Sequence, residues 1–108
     1  MQEGYVYLMT DWGSTPEKFK IGITKNDPKI RLKQHQTSSA NEIVLLRKYK
    51  SKNYRKIETN LKKVYKQYST EGGTEWYELP NDIVVNFINE CKKVDEMFEL
   101  LKDNPFMK

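Results

Sequence analysis

The stretch that decides the fold is a pair of apolar segments, residues 4–10 (GYVYLMT) and 19–24 (FKIGIT). Both are rich in β-branched and aromatic residues, which are typical of strands. The residues between them, 11–16 (DWGSTP), are mostly turn formers. The sequence therefore predicts strands at 5–10 and 19–24 that pair as an antiparallel hairpin with a long loop.

The elements after the hairpin alternate between helix and strand. A helix is predicted from Pro28 to about Gln36, because Asp27 suits the N-cap and proline suits the first helical position. Short apolar runs within residues 42–49 and 75–79 predict two further strands.

Two longer helices are predicted at 53–68 and 82–101, where apolar residues recur every three or four positions. The stripe of the first helix consists of Ile57, Leu61, Val64 and Tyr68. The stripe of the second consists of Val84, Phe87, Ile88, Cys91, Val94, Phe98 and Leu101. The order β-β-α-β-α-β-α predicts an α+β fold with helices packed on a small sheet.

Composition limits the protein class. The length of 108 residues predicts one domain, and a mean hydropathy of −0.85 without a long apolar run argues against a membrane span. The N-terminus lacks the pattern of a signal peptide, so we expect a soluble intracellular protein with no membrane partner. The chain has one cysteine, Cys91, and one histidine, His35. An intramolecular disulfide, a cysteine-based zinc site and a multi-histidine metal site are therefore excluded.

Charge is concentrated in the middle of the chain. Residues 17–66 carry 15 Lys and Arg and only four Asp and Glu, a net of +11, whereas residues 1–16 carry −2 and residues 67–108 carry −5. Such a segment indicates a polyanionic partner, most simply nucleic acid. The alternative is a solvated lysine-rich surface.

Five polar residues form a candidate constellation. Tyr7 and Lys20 lie on adjacent predicted strands, and Arg31 and His35 are four apart on one helix. Glu58 is the lone acid among nine cations between residues 47 and 66. Phosphodiester hydrolysis uses such a set, since it needs a carboxylate for a divalent cation, a charge-balancing cation and a group with a movable proton. From spacing alone, surface ion pairs and hydrogen bonds remain the simpler explanation.

Five segments in order resemble the GIY-YIG nuclease domains, and together they span about residues 4–80. They read GYVY (4–7), FKIGIT (19–24), RLKQH (31–35), IETNL (57–61) and EWY (75–77). The likeness is to the compact viral and bacterial branch, whose second triplet reads Lys-Ile-Gly. It implies a small antiparallel three-stranded sheet flanked by helices and a phosphodiesterase site using Mg²⁺ (or Mn²⁺). It also implies a nuclease domain at 1–80, with 81–108 as an amphipathic helix packed on the same domain.

The resemblance implies a role for each residue. Tyr7 would position or deprotonate the attacking water, and Arg31 would bind the scissile phosphate. Glu58 would be the only carboxylate ligand of the metal, and His35 would hydrogen-bond near the first tyrosine. At Gly22 a side chain would crowd the substrate.

The chain departs from the family pattern at two places. Lys20 stands where many members have tyrosine, and it could contact phosphate or share a proton with water. The asparagine that many members have after the glutamate helix is missing, so its role is unfilled or passes to Ser69, Thr70 or Thr74. The nucleic-acid contacts that we expect are Tyr5, Gly22, Thr24, Lys25, Arg47 and Lys62.

The sequence is therefore interpreted as a metal-dependent endonuclease acting on DNA, in the cytoplasm of a bacterial cell or phage-infected host. The alternatives are a non-catalytic nucleic-acid-binding module and a protein-interaction domain without nucleic acid. Residues 81–108 would bind a partner protein or a second copy, or simply pack on their own sheet. Among single residues, Arg31 could instead pair with Asp27, and Glu58 with Lys62.

Overall fold

The computed structural model describes residues 3–13, 17–37, 42–70 and 76–102. Its elements are β1 (Gly4–Trp12), β2 (Lys18–Thr24), α1 (Pro28–Thr37), β3 (Glu42–Ser51), α2 (Tyr54–Val64), a 3₁₀ turn (Lys66–Tyr68), β4 (Trp76–Tyr77), α3 (Asn81–Val85) and α4 (Phe87–Lys102). The predicted α+β class is confirmed. The division into residues 1–80 and 81–108 stays a prediction.

The strands form one antiparallel sheet in the order β3-β1-β2-β4. The predicted three-stranded sheet is wrong, because β4 pairs with the start of β2 through Phe19–Tyr77 and Lys20–Trp76. The short β4 is also bonded to the chain after α2, where the Thr70 N–H donates to the Trp76 carbonyl at 3.0 Å. Backbone hydrogen bonds on both sides therefore keep even a two-residue strand in the sheet.

The predicted element order is also wrong in detail, because the helix predicted at 82–101 divides at Asn86. The side-chain amide of Asn86 donates to the Asp82 carbonyl at 2.9 Å. The Asn86 N–H also donates to this carbonyl at 3.1 Å and the Glu90 N–H donates to the Asn86 carbonyl at 3.0 Å, so the break is confined to the dihedral angles of Asn86, φ −93° and ψ 10°. In addition, α2 stops at Val64 and a separate 3₁₀ turn covers the end of the helix predicted at 53–68.

The sheet has two faces with different partners. One face, which bears Val6, Leu8 and Ile21, packs under α2 and α4 and is called the α2–α4 face. Its buried hydrophobic cluster consists of Val6, Leu8, Phe19, Ile21, Tyr54, Ile57, Leu61, Tyr65, Tyr77, Leu79, Phe87, Cys91 and Val94. Tyr65 replaces Val64 in the predicted stripe of α2, since Val64 is 53% exposed.

The opposite face packs against α1 and is called the α1 face. Its cluster is smaller, with Tyr7, Met9 and Ile43 buried and Leu32 of α1 packed on them. The predicted N-cap of α1 is present, because an oxygen of the Asp27 carboxylate accepts from the Lys29 N–H at 3.0 Å.

A β-bulge in β3 decides which of its residues lie on which face. Leu8 pairs with Arg47 but Met9 pairs with Leu45, so Leu46 is an extra residue in β3. Because side chains alternate along a strand, one inserted residue reverses the alternation after it. Lys48 consequently lies on the α1 face, and Arg47 lies on the α2–α4 face.

Polar contacts attach α4 to the end of β3. The Asp95 carboxylate accepts hydrogen bonds from the Tyr49 hydroxyl at 2.7 Å, the Ser51 hydroxyl at 2.9 Å and the Asn53 amide at 2.7 Å. These bonds hold α4 against β3 and the start of α2. Over the described residues, none of the helices is long and apolar enough to cross a membrane.

Candidate functional site

The first pair of site residues consists of Tyr7 on β1 and Gly22 on β2, which face each other in the strand pairing. Tyr7 is only 1% exposed, and its ring lies across the glycine. A Cβ built on Gly22 would come within 2.9 Å of the ring carbon Cε1 and still closer to the phenol oxygen. Any larger residue at position 22 would therefore force the tyrosine to move.

Lys20 lies two residues before Gly22 on β2, opposite Met9 and on the same α1 face as Tyr7. It is 8% exposed, and its Nζ lies 5.9 Å from the centroid of the Trp76 ring. A cation over an aromatic face is attracted by the ring quadrupole. Trp76 pairs with Lys20 from β4 and also packs against the Tyr7 cluster, so Lys20 lies between Met9 and Trp76 across the sheet.

Two lysines of β3 complete a cationic row on the α1 face. Lys48 pairs with Tyr7 and Lys50 pairs with Tyr5. Their Nζ atoms lie 5.9 Å and 6.0 Å from the centroid of the Tyr5 ring. Sequence reasoning did not single out either lysine, because the bulge hides the alternation that would have indicated their face.

The start of α1 is tied to this row by an ion pair. Lys48 Nζ lies 3.8 Å from Oδ2 of Asp27. The N–H of Lys29 and, to a lesser extent, the charge of Lys48 lower the pKa of the Asp27 carboxyl. The carboxylate therefore stays charged and keeps α1 close to the strand that carries Lys48.

Arg31 and His35 both lie on α1. Arg31 is exposed, and its Nη1 donates to Oε1 of Gln34 at 3.0 Å. The alternative partner considered for it, Asp27, is instead close to Lys48. The side chain of His35 falls outside the described part of the structure.

Glu58 lies on α2, the helix that packs on the α2–α4 face, so the sheet lies between it and α1. Its side chain is 16% exposed, and Oε2 lies 3.5 Å from Lys62 Nζ. The ion-pair alternative for Glu58 and Lys62 is thus present. Within the described residues, no group of three or more His, Cys, Asp or Glu is arranged to hold a metal ion.

The remaining residues predicted to contact nucleic acid lie in different parts of the molecule. The Thr24 hydroxyl accepts from the Asn26 N–H at 3.2 Å, and Lys25 is exposed directly after β2. Arg47 is exposed on the side opposite Tyr7 and donates to the Leu46 carbonyl at 2.8 Å.

Of the residues considered as substitutes for the missing asparagine, Ser69 forms a bridge with Tyr77 beside β4. Thr70 is bonded to β4 through its backbone. Thr74 lies outside the described residues.

The α1 face thus combines tyrosines with lysines on three adjacent strands. Clustered cations neutralise phosphates, and interleaved aromatic rings offer stacking surfaces. The structure groups Tyr5, Tyr7, Lys20 and Gly22 on this face, and it separates Arg47 and the helix bearing Glu58 from them. The grouped residues are suited to binding a polyanion.

Comparison with known proteins identifies one family. No curated protein and no solved structure matches the chain significantly. The T5orf172 domain matches residues 4–92, which extend from the start of β1 into α4. The chain belongs to the T5orf172 domain family.

Proposed function

We propose that this protein is a metal-dependent endonuclease that hydrolyses phosphodiester bonds of DNA through a GIY-YIG-type site. Membership of the T5orf172 domain family suggests a nuclease-related or nucleic-acid-binding role. The observation that carries the proposal is the Tyr7 ring lying across Gly22, with Lys20 next to them on the same face. This is the arrangement that the GIY-YIG resemblance implies for its two triplets.

In this proposal Tyr7 and Lys20 prepare the water and Arg31 stabilises the phosphate. The Tyr7 hydroxyl orients the attacking water, and in its phenolate form it would take one proton from that water and become the neutral phenol, while Lys20 contributes positive charge beside it. Arg31 exchanges a neutral acceptor, the Gln34 amide oxygen, for a charged phosphate oxygen. A phosphate is a charged acceptor and can take two parallel hydrogen bonds from a guanidinium, so this exchange is favourable.

The donor set of the chain fits a metal that arrives with its substrate. Mg²⁺ is commonly bound by one or two carboxylates together with waters and substrate phosphates. Glu58 supplies one such carboxylate, and Lys62 would have to release its Oε2. When bound, Mg²⁺ or Mn²⁺ would neutralise phosphate charge and acidify a coordinated water. His35 would support Tyr7 by a hydrogen bond.

The experiment is nicking of a supercoiled plasmid with Mg²⁺ or Mn²⁺. We expect nicking by the wild type and none with EDTA or with Glu58→Gln. The matched control is Glu96→Gln, another helical glutamate, which is exposed on α4. Nicking that survives both EDTA and Glu58→Gln would overturn the proposal.

Variants of Tyr7 and Arg31 test the separate roles that we propose for these two residues. Tyr7→Phe keeps the ring across Gly22 but removes the hydroxyl, so we expect a loss of nicking by a chain that circular dichroism shows to be folded. Arg31→Ala should lower the nicking rate by roughly 10²–10³-fold, as for other groups that stabilise transition-state charge. DNA binding in EDTA, measured by fluorescence anisotropy, should survive Tyr7→Phe.

A second candidate function is a non-catalytic nucleic-acid-binding module. It is favoured because Arg31 and Glu58 already have partners within the chain, Gln34 and Lys62. It is also favoured because Glu58 lies on α2, which packs on the face of the sheet opposite to α1. This candidate predicts salt-dependent DNA binding without nicking in any divalent metal. Binding that is insensitive to salt would favour a protein-interaction domain instead.

Residues 81–108, which we propose bind a protein partner or a second copy, have exposed apolar side chains for such a contact. Phe87 is fully buried, so it packs on its own sheet. Val85, Met97 and Leu100 are 63%, 41% and 74% exposed and remain accessible to a partner. Sedimentation equilibrium of wild type and Leu100→Gln tests whether this helix mediates self-association.

A further inference from the structure

A basic cleft lies on the solvent side of α2, beside α4. It has a volume of about 280 Å³. Its lining residues are Arg55, Lys56, Thr59, Asn60, Lys63 and Phe98. Three of these are cations and none is acidic, so positive charge in this cleft is not balanced by its own lining.

The cations are positioned by the helix and by neighbouring rings. Arg55, Lys56 and Lys63 are exposed, on the side of α2 opposite its buried residues. The Arg55 guanidinium carbon lies 5.4 Å from the centroid of the Tyr54 ring, and Lys56 Nζ lies 5.7 Å from that of Phe98. Most of the cleft's own surface is apolar, and the positive charge lies at the side-chain ends of Arg55, Lys56 and Lys63 around it.

We propose that this cleft binds the sugar-phosphate backbone of a second nucleic-acid segment, distinct from a segment lying on the α1 face. Lysine and arginine side chains clustered along one helix face are suited to consecutive phosphates. The sheet and α2, itself roughly 10–12 Å across, separate the cleft from the α1 face. A straight duplex on that face does not reach the cleft, so its occupant is another segment or another molecule.

This inference goes beyond the nuclease proposal, since it requires binding and not cleavage. It is therefore tested in EDTA, where no metal-dependent cleavage occurs. If Glu58→Gln abolishes nicking, the prediction for the cleft does not change. If nucleic acid fails to bind the cleft, the nuclease site proposed at Tyr7 and Gly22 is unaffected.

The test compares Lys56→Gln/Lys63→Gln with Lys92→Gln/Lys93→Gln, a matched removal of two exposed lysines from α4. Binding of a fluorescent 30-bp duplex is measured between 50 and 200 mM salt. For the cleft variant we expect the binding step assigned to the cleft to be at least tenfold weaker at 50 mM salt, and its slope of log K against log salt to decrease by about two. The binding step assigned to the α1 face should keep its wild-type affinity and slope. The α4 variant should keep the wild-type affinity and slope.

Stoichiometry separates a second segment from one continuous interface. With a 12-bp duplex titrated by calorimetry, the wild type should bind two duplexes per chain and the cleft variant one. One duplex per chain for the wild type would overturn the proposal, as would equal losses in the two lysine pairs. Circular dichroism verifies folding, and Arg55→Gln alone provides a second variant. If the cleft variant instead loses self-association in sedimentation, the cleft binds another copy and the proposal is wrong.

Discussion

The two faces of the sheet differ in how much apolar side chain they bury. Among the described residues, thirteen buried hydrophobic residues cluster on the α2–α4 face and three on the α1 face. Since burial of apolar surface is the main stabilising contribution, the α2–α4 face carries most of the stability. The α1 face is thereby free to carry lysines that a packed core would not tolerate.

A matched pair of glycines shows the same contrast. Gly4 lies under the Tyr54 ring on the α2–α4 face, and Gly22 lies under the Tyr7 ring on the α1 face. Tyr54 belongs to the large cluster, whereas Tyr7 belongs to the small cluster beside Lys20. The same local packing thus serves the core on one side and the candidate site on the other.

The largest effect should come from truncating one isoleucine on each face. Ile57→Ala, at 0% exposure in the large cluster, should cost roughly 4–5 kcal/mol of unfolding free energy, and Ile43→Ala roughly 2 kcal/mol. The smaller cluster can collapse around the missing atoms more easily. Urea unfolding of both variants measures the difference, and equal costs would contradict the contrast between the faces.

The next effect concerns alkaline pH. Burial, together with the charge of Glu90, raises the pKa of Tyr65 in the large cluster to about 12. The phenol of the unfolded chain titrates near pH 10, so the stabilisation of the fold that comes from this pKa difference is complete below that pH. It should be lost as the pH rises from 10 to 12, at about 1.4 kcal/mol per pH unit. Urea unfolding at pH 8, 10 and 11 should show a steeper decline for the wild type than for Tyr65→Phe. Parallel declines would show that Tyr65 does not carry the effect.

The glycine pair provides the third prediction. Gly4→Ala and Gly22→Ala should each cost about 1–3 kcal/mol, because the new Cβ overlaps a tyrosine ring. Only Gly22→Ala should impair plasmid nicking, measured at a temperature where both variants remain folded. Equal impairment by Gly4→Ala would mean that the site is not confined to the α1 face.

The smallest effect is expected at the ion pair between Glu58 and Lys62. Lys62→Gln should change the unfolding free energy by only about 0.3–0.5 kcal/mol, since this is a partly exposed i,i+4 pair. Thermal unfolding measures this change in free energy, with Lys62→Arg as the conservative control. A loss above about 1 kcal/mol would show that the pair serves stability and would weaken the metal role proposed for Glu58.

Much of the fold could be predicted because its signals are local. Alternating β-branched and aromatic residues indicated the hairpin, and the Asp27 cap indicated the start of α1. Helical spacing indicated that Ile57 and Leu61 would be buried. The break at Asn86 was not predicted, because the apolar spacing continues across it and only the dihedral angles of this one residue depart from the helix.

The candidate site was predictable only in part. Tyr7 and Gly22 face each other as the hairpin implies, since adjacent strands with one loop have few registers available. The position of Glu58 depends on which side of the sheet α2 packs. That choice is made by the large apolar cluster, whose members come from β1, β2, α2 and α4 and are therefore distant from one another in the sequence.

The sequence by itself determined the α+β class, the hairpin and the start of α1, because strand propensity and capping are properties of neighbouring residues. Tertiary structure alone decided the addition of β4, the side of the sheet taken by α2 and the face taken by each β3 cation. The bulge at Leu46 shows the physical reason most directly. One extra residue in a strand puts Lys48, and not Arg47, beside Tyr7, and its position depends on pairing with a distant strand.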